Sequence, residues 1–374
     1  MSEVNVKLEE TDVFVIGGGP AGLAAALAAR QRGLQVTVVD GAAPPIDKPC
    51  GEGLMPDSLR ALRELGVEIP LECGHPFRGI RFVSSGSQVD ASFPIGDGIG
   101  VRRTVLHRIM LERAAAVGVR LLWKRVVTGL HSDGVFLDGT PVRAKWVVGA
   151  DGGHSLVRRW AGLDEYLRRD QRFAFRQHFR VQPWTDCMEL HWGENCQLYV
   201  TPVGPQEICA AVISDNQYFR LDDALRQFPL FAARLSDAER TSVEQGAVSA
   251  TCRLRRVCRR RLALIGDASG TVDAITGEGL CLAFRQAMLL ANCFAAGSLS
   301  SYQAAHRRLG RRPAFMAGLM LTLGKHPRLR RRMMRAFTRD QDLFARMLAL
   351  HVGELRASRV ATTGIALGWG GLTA

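Results

Sequence analysis

The segment Val13-Phe14-Val15-Ile16-Gly17-Gly18-Gly19-Pro20-Ala21-Gly22 decides the fold, because an apolar run passes directly into a glycine-rich turn. A short apolar run of this kind is typical of a buried parallel strand. The glycines at 17, 19 and 22 have the spacing needed for a tight turn, a close backbone approach to a pyrophosphate and close helix packing. An alanine-rich helix is expected from Pro20 and Ala21 up to Gly33, and its free N-terminal N–H groups favour phosphate.

A second apolar strand, residues 35–39, follows this helix and ends at Asp40. A carboxylate at that point can accept hydrogen bonds from ribose hydroxyls. Strand, turn, helix, strand and terminal acid together predict a dinucleotide-binding β-α-β unit. This unit alone favours FAD over NAD only weakly.

Two further glycine segments also follow apolar runs. Gly149-Ala150-Asp151-Gly152 follows residues 146–148, and Gly266-Asp267 follows Leu264-Ile265, with Gly277-Glu278-Gly279 shortly after. The carboxyl ends of parallel strands meet at one edge of a sheet, where ligands bind. Because a dinucleotide is long, one loop would hold the pyrophosphate and the others the ribityl chain and the ring.

Together with Arg103 at a predicted helix start, these segments resemble the p-hydroxybenzoate hydroxylase-like flavoproteins over residues 11 to about 300. That superfamily includes aromatic hydroxylases, flavin-dependent halogenases and geranylgeranyl reductases. The resemblance implies FAD as cofactor, NADH or NADPH as electron donor, Arg103 near the flavin phosphate and Asp267 on the ribityl hydroxyls. The cofactor-binding candidates are Gly17, Gly19, Pro20, Ala21, Gly22, Asp40, Arg103, Asp151, Gly152, Gly266, Asp267, Gly277 and Gly279.

The segment Cys50-Gly51-Glu52-Gly53-Leu54 discriminates between branches of the superfamily. It resembles the geranylgeranyl reductase branch, where the cysteine lies near the isoalloxazine, and so does Gly277-Glu278-Gly279. The resemblance makes Cys50, Gly277, Glu278 and Gly279 the catalytic candidates, since backbone N–H groups can stabilise charge on a reduced flavin. The WxWxIP stretch of the halogenases and the intact tryptophan-containing substrate motif of archaeal lipid reductases are both missing.

The predicted fold class is α/β: a three-layer Rossmann-like FAD-binding domain, an inserted antiparallel β-sheet substrate domain and C-terminal helices. The domain predictions are 11–78, 95–165 and 253–312 for FAD binding, 79–94 and 166–252 for the substrate lobe, and 313–374 for the helical region. Strands are expected over 173–181, 187–192, 197–201 and 208–214, and a helix over 222–235. His178, Trp192 and Tyr199 are the candidate substrate contacts, although an ordinary sheet histidine is the more frequent case for His178.

The charge is concentrated at one end of the chain. The protein has 49 Lys and Arg residues against 36 Asp and Glu, and residues 251–374 alone hold 21 against 6. A basic face suits anionic membrane lipid, an acidic carrier protein or a phosphate-bearing substrate, while a solvated helix surface is the plain alternative. The aromatics are not interleaved with the arginines, which argues against nucleic acid.

The cysteines and the first residues of the chain indicate the cellular compartment and whether a metal site is expected. The nine cysteines form no CxxC pair and show no metal spacing, so we expect reduced thiols and no metal site. The first 12 residues are polar, unlike a signal peptide. A cytoplasmic protein, peripheral to the inner face of the membrane, is the resulting expectation.

The functional expectation is an FAD-dependent oxidoreductase acting on a hydrophobic, prenyl or polyketide-like substrate. The Cys50 and Gly277 segments slightly favour double-bond reduction. Hydroxylation or epoxidation remains an alternative, since oxygen chemistry on a flavin needs no dedicated nucleophile. A third alternative, of another class, is a flavin-binding protein whose basic end binds a membrane or a partner.

Overall fold

The computed structural model describes residues 10–84 and 86–355, which form two large sheets, a small one and a helical C-terminal part. The strands are β1 Glu10–Ile16, β2 Val36–Asp40, β3 Gly53–Leu54, β4 His75–Phe77, β5 Gly79–Ser84, β6 Ser87–Ser92, β7 Gly98–Gly100, β8 Arg120–Trp123, β9 Val127–His131, β10 Gly134–Leu137, β11 Thr140–Gly149, β12 Tyr166–Arg180, β13 Cys187–Trp192, β14 Cys196–Gly204, β15 Glu207–Ser214, β16 Glu239–Arg240, β17 Gln245–Leu254, β18 Cys258–Arg259 and β19 Leu262–Leu264. The helices are α1 Pro20–Arg30, α2 Pro56–Glu64, α3 Arg103–Ala116, α4 Leu156–Trp160, α5 Leu221–Gln227, α6 Pro229–Leu235, α7 Gly279–Ala295, α8 Tyr302–Leu309, α9 Arg311–Lys325, α10 Pro327–Arg339 and α11 Gln341–His351. Short 3-10 turns cover Leu71–Cys73, Gly266–Ser269 and Ala274–Thr276.

The first sheet has a parallel centre in the order β19-β11-β1-β2-β8, with antiparallel β18, β10 and β9 added. Ile16 lies opposite Gly149 and Val39, and Gly149 lies opposite Leu264. The carboxyl ends of β1, β11 and β19 therefore meet at one edge. This register confirms the Rossmann-like fold and brings the three glycine segments together.

Two glycines explain why this edge packs so closely. Gly17 has a φ of +112°, and a Cβ there would overlap the Ala150 carbonyl. A Cβ at Gly22 would overlap the carbonyl oxygen of Gly17. The turn, the start of α1 and the end of β11 thus touch through backbone atoms, which only glycine permits.

The second sheet runs in the order β16-β12-β15-β14-β13-β5-β6, with β17 paired to β12. Its pairings are antiparallel except for the parallel β13 and β5. Strands β5 and β6 reach this otherwise antiparallel sheet from a separate chain segment. Strand β12 starts at Tyr166, earlier than the predicted 173, because its first residues pair with β17.

The helix predicted over 222–235 is divided into α5 and α6 at Phe228-Pro229. Proline restricts the preceding residue to extended conformations. Phe228 accordingly has φ −124° and ψ 70°. Both short helices cover the outer face of the second sheet, where Leu221 and Phe231 join Leu198 and Val212 in one apolar cluster.

The C-terminal helices cover the inner face of the second sheet near β5 and β13. Met320, Phe337 and Phe344 are buried there against Phe82 and Trp192. No described helix is long and apolar enough to cross a membrane. Residues 356–374 of the predicted helical region lie outside the described residues.

Candidate functional site

The N-terminus of α1 faces open space at the edge of the first sheet. Pro20 opens the helix, and no side chain caps it. A Cβ at Gly19 would meet no atom within 4 Å. Uncapped N–H groups beside a glycine with room around it suit a phosphate, because the helix end carries partial positive charge.

Arg103 supplies a second sign of an anionic ligand. It is the first residue of α3, and its backbone N–H donates to Glu52 Oε1 over 2.9 Å. Its Nε is buried and has no partner among the described residues. A buried guanidinium N–H without an acceptor is costly, so the residues present fit the phosphates of FAD.

Asp40 lies beside the same glycine turn. Its Oδ2 accepts from the N–H of Gly18 over 2.7 Å, and its Oδ1 accepts from Ala42 over 2.8 Å. Each carboxylate oxygen retains a second lone pair. Asp40 is therefore held in place and can still accept a ribose hydroxyl.

Asp267, expected to bind the ribityl chain, is paired with Lys48 over 2.6 Å. Both side chains are about 40% exposed, at 40% and 44% respectively, so the pair adds little stability. The sequence interpretation missed Lys48, although it stands two residues before Cys50. The lysine links the Cys50 and Asp267 segments across 219 positions.

Asp151 serves the local fold. Its carboxylate accepts from the Ser155 hydroxyl over 2.5 Å and from the N–H groups of Leu156 and Val157 at the start of α4. Gly152 has a φ of +81°, which turns the chain towards that helix. A direct cofactor contact of Asp151 and Gly152 stays a prediction, whereas their structural role is visible.

The Cys50 segment is held on the second sheet by backbone contacts and a buried ion pair. Thr201 donates to the Gly51 carbonyl over 2.8 Å. Glu52, at φ +60°, turns its carboxylate inward, where Oε2 accepts from His178 Nε2 over 2.6 Å. Arg176 lies 3.8 Å from Glu52 Oε1 and balances its charge. Cys50 itself is half-buried.

This network decides where His178 points. Its Nδ1 bonds the Ser242 hydroxyl over 2.9 Å, and the residue is only 1% exposed. Both ring nitrogens are thus engaged behind the Cys50 segment, as for an ordinary sheet histidine. A substrate contact through His178 stays untested, and this arrangement does not support it.

The Gly277 segment is held by the same strand as the Cys50 segment. Tyr199, two residues from Thr201 on one face of β14, donates its hydroxyl to the Ile275 carbonyl over 2.6 Å. Asp273, which begins the turn before Gly277, pairs with Arg172 over 3.1 Å. Strand β14 therefore sets the relative position of the two catalytic candidate segments.

Gly277 and Gly279 are exposed, and a Cβ at either would meet no atom within 4 Å. Glu278 between them is 1% exposed and points into the protein. The backbone of this segment thus borders the open side, while its carboxylate does not.

An apolar pocket lies between β5, β13, β14, the Ala274–Thr276 turn and the C-terminal helices α9 and α11. Its lining residues are Ile80, Phe82, Met188, Leu190, Tyr199, Ile275, Thr276, Met316, Met320, Phe344, Met347, Leu348 and His351. Methionine is flexible and fills irregular space around apolar ligands. Tyr199 lines this pocket, and Trp192 packs on Phe82 without joining the lining. A substrate contact through either residue stays a prediction.

Comparison with known proteins agrees with this geometry. A family model described as an FAD binding domain matches residues 10–300. The chain belongs to the FAD binding domain family. The protein is an FAD-dependent oxidoreductase, and the assignment of the glycine segments and Arg103 to FAD stays a prediction.

Individual members of the family are similar over most of the chain. The menaquinone reductase of Mycolicibacterium smegmatis is 31% identical over 83% of this chain and 85% of its own. The digeranylgeranylglycerophospholipid reductase 1 of Methanothermobacter thermautotrophicus is 28% identical over 82% of each. In structure, the flavin-dependent brominase Bmp2 matches with a TM-score of 0.80 at 20% identity, over 96% of this chain and 98% of its own, which shows the shared fold.

Proposed function

We propose that this protein reduces a carbon–carbon double bond in a polyprenyl-bearing substrate, with FAD as the bound cofactor. The observation that carries the proposal is the methionine-rich apolar pocket beside the Gly277 segment. Four methionines, Met188, Met316, Met320 and Met347, line it. Two relatives of the chain, a menaquinone reductase and a digeranylgeranylglycerophospholipid reductase, support the same substrate class by the activities for which they are named.

The residues of the chain would prepare this reaction by binding, orientation and exclusion of water. The cavity between the apolar walls measures about 40 Å³, less than one isoprene unit fills, so its flexible methionines would have to move apart to admit a prenyl chain. Each CH2 group buried there would then be stabilising by about 0.8 kcal/mol. Tyr199 and Thr201 fix the Gly277 and Cys50 segments on one strand. Reduced FAD supplies a hydride equivalent when bound.

NADH or NADPH is proposed as the electron donor. Support comes from the resemblance of the Asp151-Gly152 segment to one associated with both FAD and NAD(P)H. Oxidation of each nucleotide by the FAD-loaded protein, followed anaerobically through flavin absorbance, tests this. A flavin that stays oxidised with both nucleotides but is reduced by dithionite would reject the nicotinamide donor alone.

The product distinguishes reduction from the alternatives. The FAD-loaded protein is reduced, mixed without oxygen with a prenylated quinone, and the product is analysed by mass spectrometry. A gain of two hydrogen atoms supports the proposal. A gain of one oxygen atom, seen only in air, would establish a monooxygenase. A flavin that is reduced but never reoxidised by any prenyl or aromatic compound would indicate a binding protein.

We also propose that α10 contacts an anionic membrane surface, which would bring the pocket close to a lipid-dissolved substrate. A cleft between α10 and the β5–β6 turn is lined by Arg328, Arg331, Arg332 and Arg335. The described residues place no carboxylate within ion-pair distance of these four. The opposite side of α10 is apolar and buried on the sheet.

Flotation with liposomes tests the membrane contact. Vesicles with a third of phosphatidylglycerol should retain the protein at low salt, and neutral vesicles should not. Replacing Arg331, Arg332 and Arg335 by Gln should release it. The matched control replaces the exposed Arg256, Arg260 and Arg261 by Gln, at the β18–β19 edge of the first sheet. Equal partition of the two triple variants would reject the assignment to α10.

A further inference from the structure

A cluster of buried charges lies beneath the Gly277 segment, separate from the Glu52 and His178 network. Glu278 Oε1 is 3.0 Å from the guanidinium of Arg312, which is also 3.3 Å from Asp57. His351, the last residue of α11, has its Nδ1 3.7 Å from Glu278 Oε2. Arg285 on α7 faces Asp57 from the other side, at 3.9 Å. One cluster therefore joins α2, α7, α9 and α11.

Two atoms in this cluster face each other without a hydrogen bond. Glu278 Oε2 and His351 Nδ1 are both buried and unpartnered among the described residues. His351 Nε2 donates to the carbonyl of Thr276 over 3.0 Å. Nε2 therefore carries the ring proton, and Nδ1, which faces Glu278, is the ring atom that can accept one.

The surroundings keep a proton within this pair. Burial raises the pKa of the Glu278 carboxyl, and nearby Asp57 raises it further, while His351 and Arg312 act in the opposite direction. A proton on Glu278 Oε2 would make this oxygen a donor to Nδ1, and the two atoms, now 3.7 Å apart, would satisfy each other once they approach to hydrogen-bond distance. Glu278 and His351 can therefore hold one proton away from solvent, and we call this pair the proton store.

His351 also forms part of the wall of the apolar pocket, next to Thr276 and Met347. Saturating a double bond requires a hydride for one carbon and a proton for the other. The pocket needs a proton donor that solvent does not supply, and His351 stands at its wall.

We propose that His351 donates this proton to the substrate carbon and that Glu278 holds and replaces it. The inference rests on the proposed function. The alkene carbon that does not receive the hydride from reduced FAD takes the Nε2 proton, which leaves the carbonyl of Thr276, and the π electron pair forms the new C–H bond. In the same relay Nδ1 takes the proton of the Glu278 carboxyl, which becomes a carboxylate paired with Arg312, so His351 stays neutral. Solvent later reprotonates Glu278. His351 is thus a catalytic residue, and Glu278 acts through it.

The first test needs no turnover. Infrared spectra of the FAD-loaded protein near neutral pH should show the band of a buried protonated carboxyl group. Glu278→Gln should remove the band, and His351→Gln should shift it. The band should be unchanged in His306→Gln, a buried histidine in α8 that bonds Ser269 and Gln286 instead. A spectrum in which Glu278→Gln removes no band would overturn the proton store.

The second test isolates the proton step. Reduced protein is mixed anaerobically with a prenylated quinone in H2O and in D2O. In His351→Gln, flavin reoxidation should slow about 100-fold, which is the lower range for losing a general acid, while flavin reduction by the donor keeps its rate. The solvent isotope effect and the pH dependence of reoxidation should change in this variant and persist in His306→Gln.

The outcomes separate this inference from the proposed function. If no prenyl compound reoxidises the reduced wild-type protein, the proposed function is wrong. The infrared band would still show whether Glu278 and His351 hold a proton. Wild-type protein that is reoxidised, with His351→Gln equal to it in rate and pH profile, would overturn the inference alone. Gln at 351 can still donate to Thr276, so the variant keeps the contact that holds α11.

Discussion

Removing the hydroxyl of Tyr199 should show whether this residue positions the Gly277 segment for the reaction or only stabilises the fold. Tyr199→Phe keeps the ring in the pocket wall and removes the 2.6 Å bond to the Ile275 carbonyl. Burial raises the pKa of Tyr199, so its hydroxyl stays a proton donor at all accessible pH values. The carbonyl left without a partner costs about 1–3 kcal/mol.

If this cost destabilises the position of the Gly277 segment that the reaction requires, the rate of substrate reduction should decrease about 5-fold to 150-fold. Stopped-flow reoxidation of the reduced protein by a prenylated quinone measures this. Urea unfolding of the same samples should show a loss of stability of similar size. FAD affinity should change less, because Gly19 and Arg103 lie in other segments.

Tyr302→Phe is the matched control. Tyr302 is equally buried and donates to the Leu264 carbonyl over 2.9 Å, but it does not line the pocket. The Tyr302→Phe variant should lose a comparable free energy of unfolding and keep the wild-type rate of flavin reoxidation. If Tyr199→Phe loses stability like the control yet reoxidises at the wild-type rate, β14 does not position the Gly277 segment for the reaction.

Three further predictions concern the cofactor site and pH. Arg103→Met should weaken FAD binding about 10-fold to 100-fold in fluorescence titration, as expected for lost charge-assisted bonds. The control is Arg102→Met, which should leave FAD binding unchanged because the guanidinium of Arg102 already pairs with Glu207. Equal effects of the two substitutions would contradict the role of Arg103. Gly19→Ala should fold normally, since the added Cβ meets no atom, but it should lose FAD. Gly22→Ala, by contrast, should unfold at a lower urea concentration. Tight FAD binding by Gly19→Ala would argue against a phosphate site at Gly19. Burial lowers the pKa of His306 to about 4, below about 6.5 in the unfolded chain, so the unfolded state binds more protons between these values. The free energy of unfolding should therefore decrease as the pH is lowered through this range, by up to about 1.4 kcal/mol per pH unit. His306→Gln should flatten this part of the urea profile, and an unchanged slope would refute the assignment.

The sequence predicted the parts of the site that depend on local pattern. Gly17, Gly149 and Gly266 stand at strand ends, where apolar runs and glycine spacing are visible without any tertiary contact. The three strands proved to be neighbours in one parallel sheet. The register followed because parallel strands of one β-α-β series share a carboxyl edge.

The ion pairs of the site escaped prediction because they join distant segments. Lys48 meets Asp267, and Glu278 meets Arg312 and His351, only after the helices pack. No short spacing encodes such pairs, and most arginines of the basic C-terminal part are exposed. Lys48 did offer a signal, since lysine is rare in this arginine-rich chain and this one directly precedes the Pro49-Cys50 segment.

A structure of the FAD-loaded protein with a bound prenylated quinone would show where the substrate lies. We expect a prenyl chain in the pocket between Tyr199, Met320 and Phe344, with its reacting double bond beside the Gly277 segment. A chain bound elsewhere, with this pocket still closed by its own methionines, would contradict the assignment of the substrate site and the proposed reduction with it.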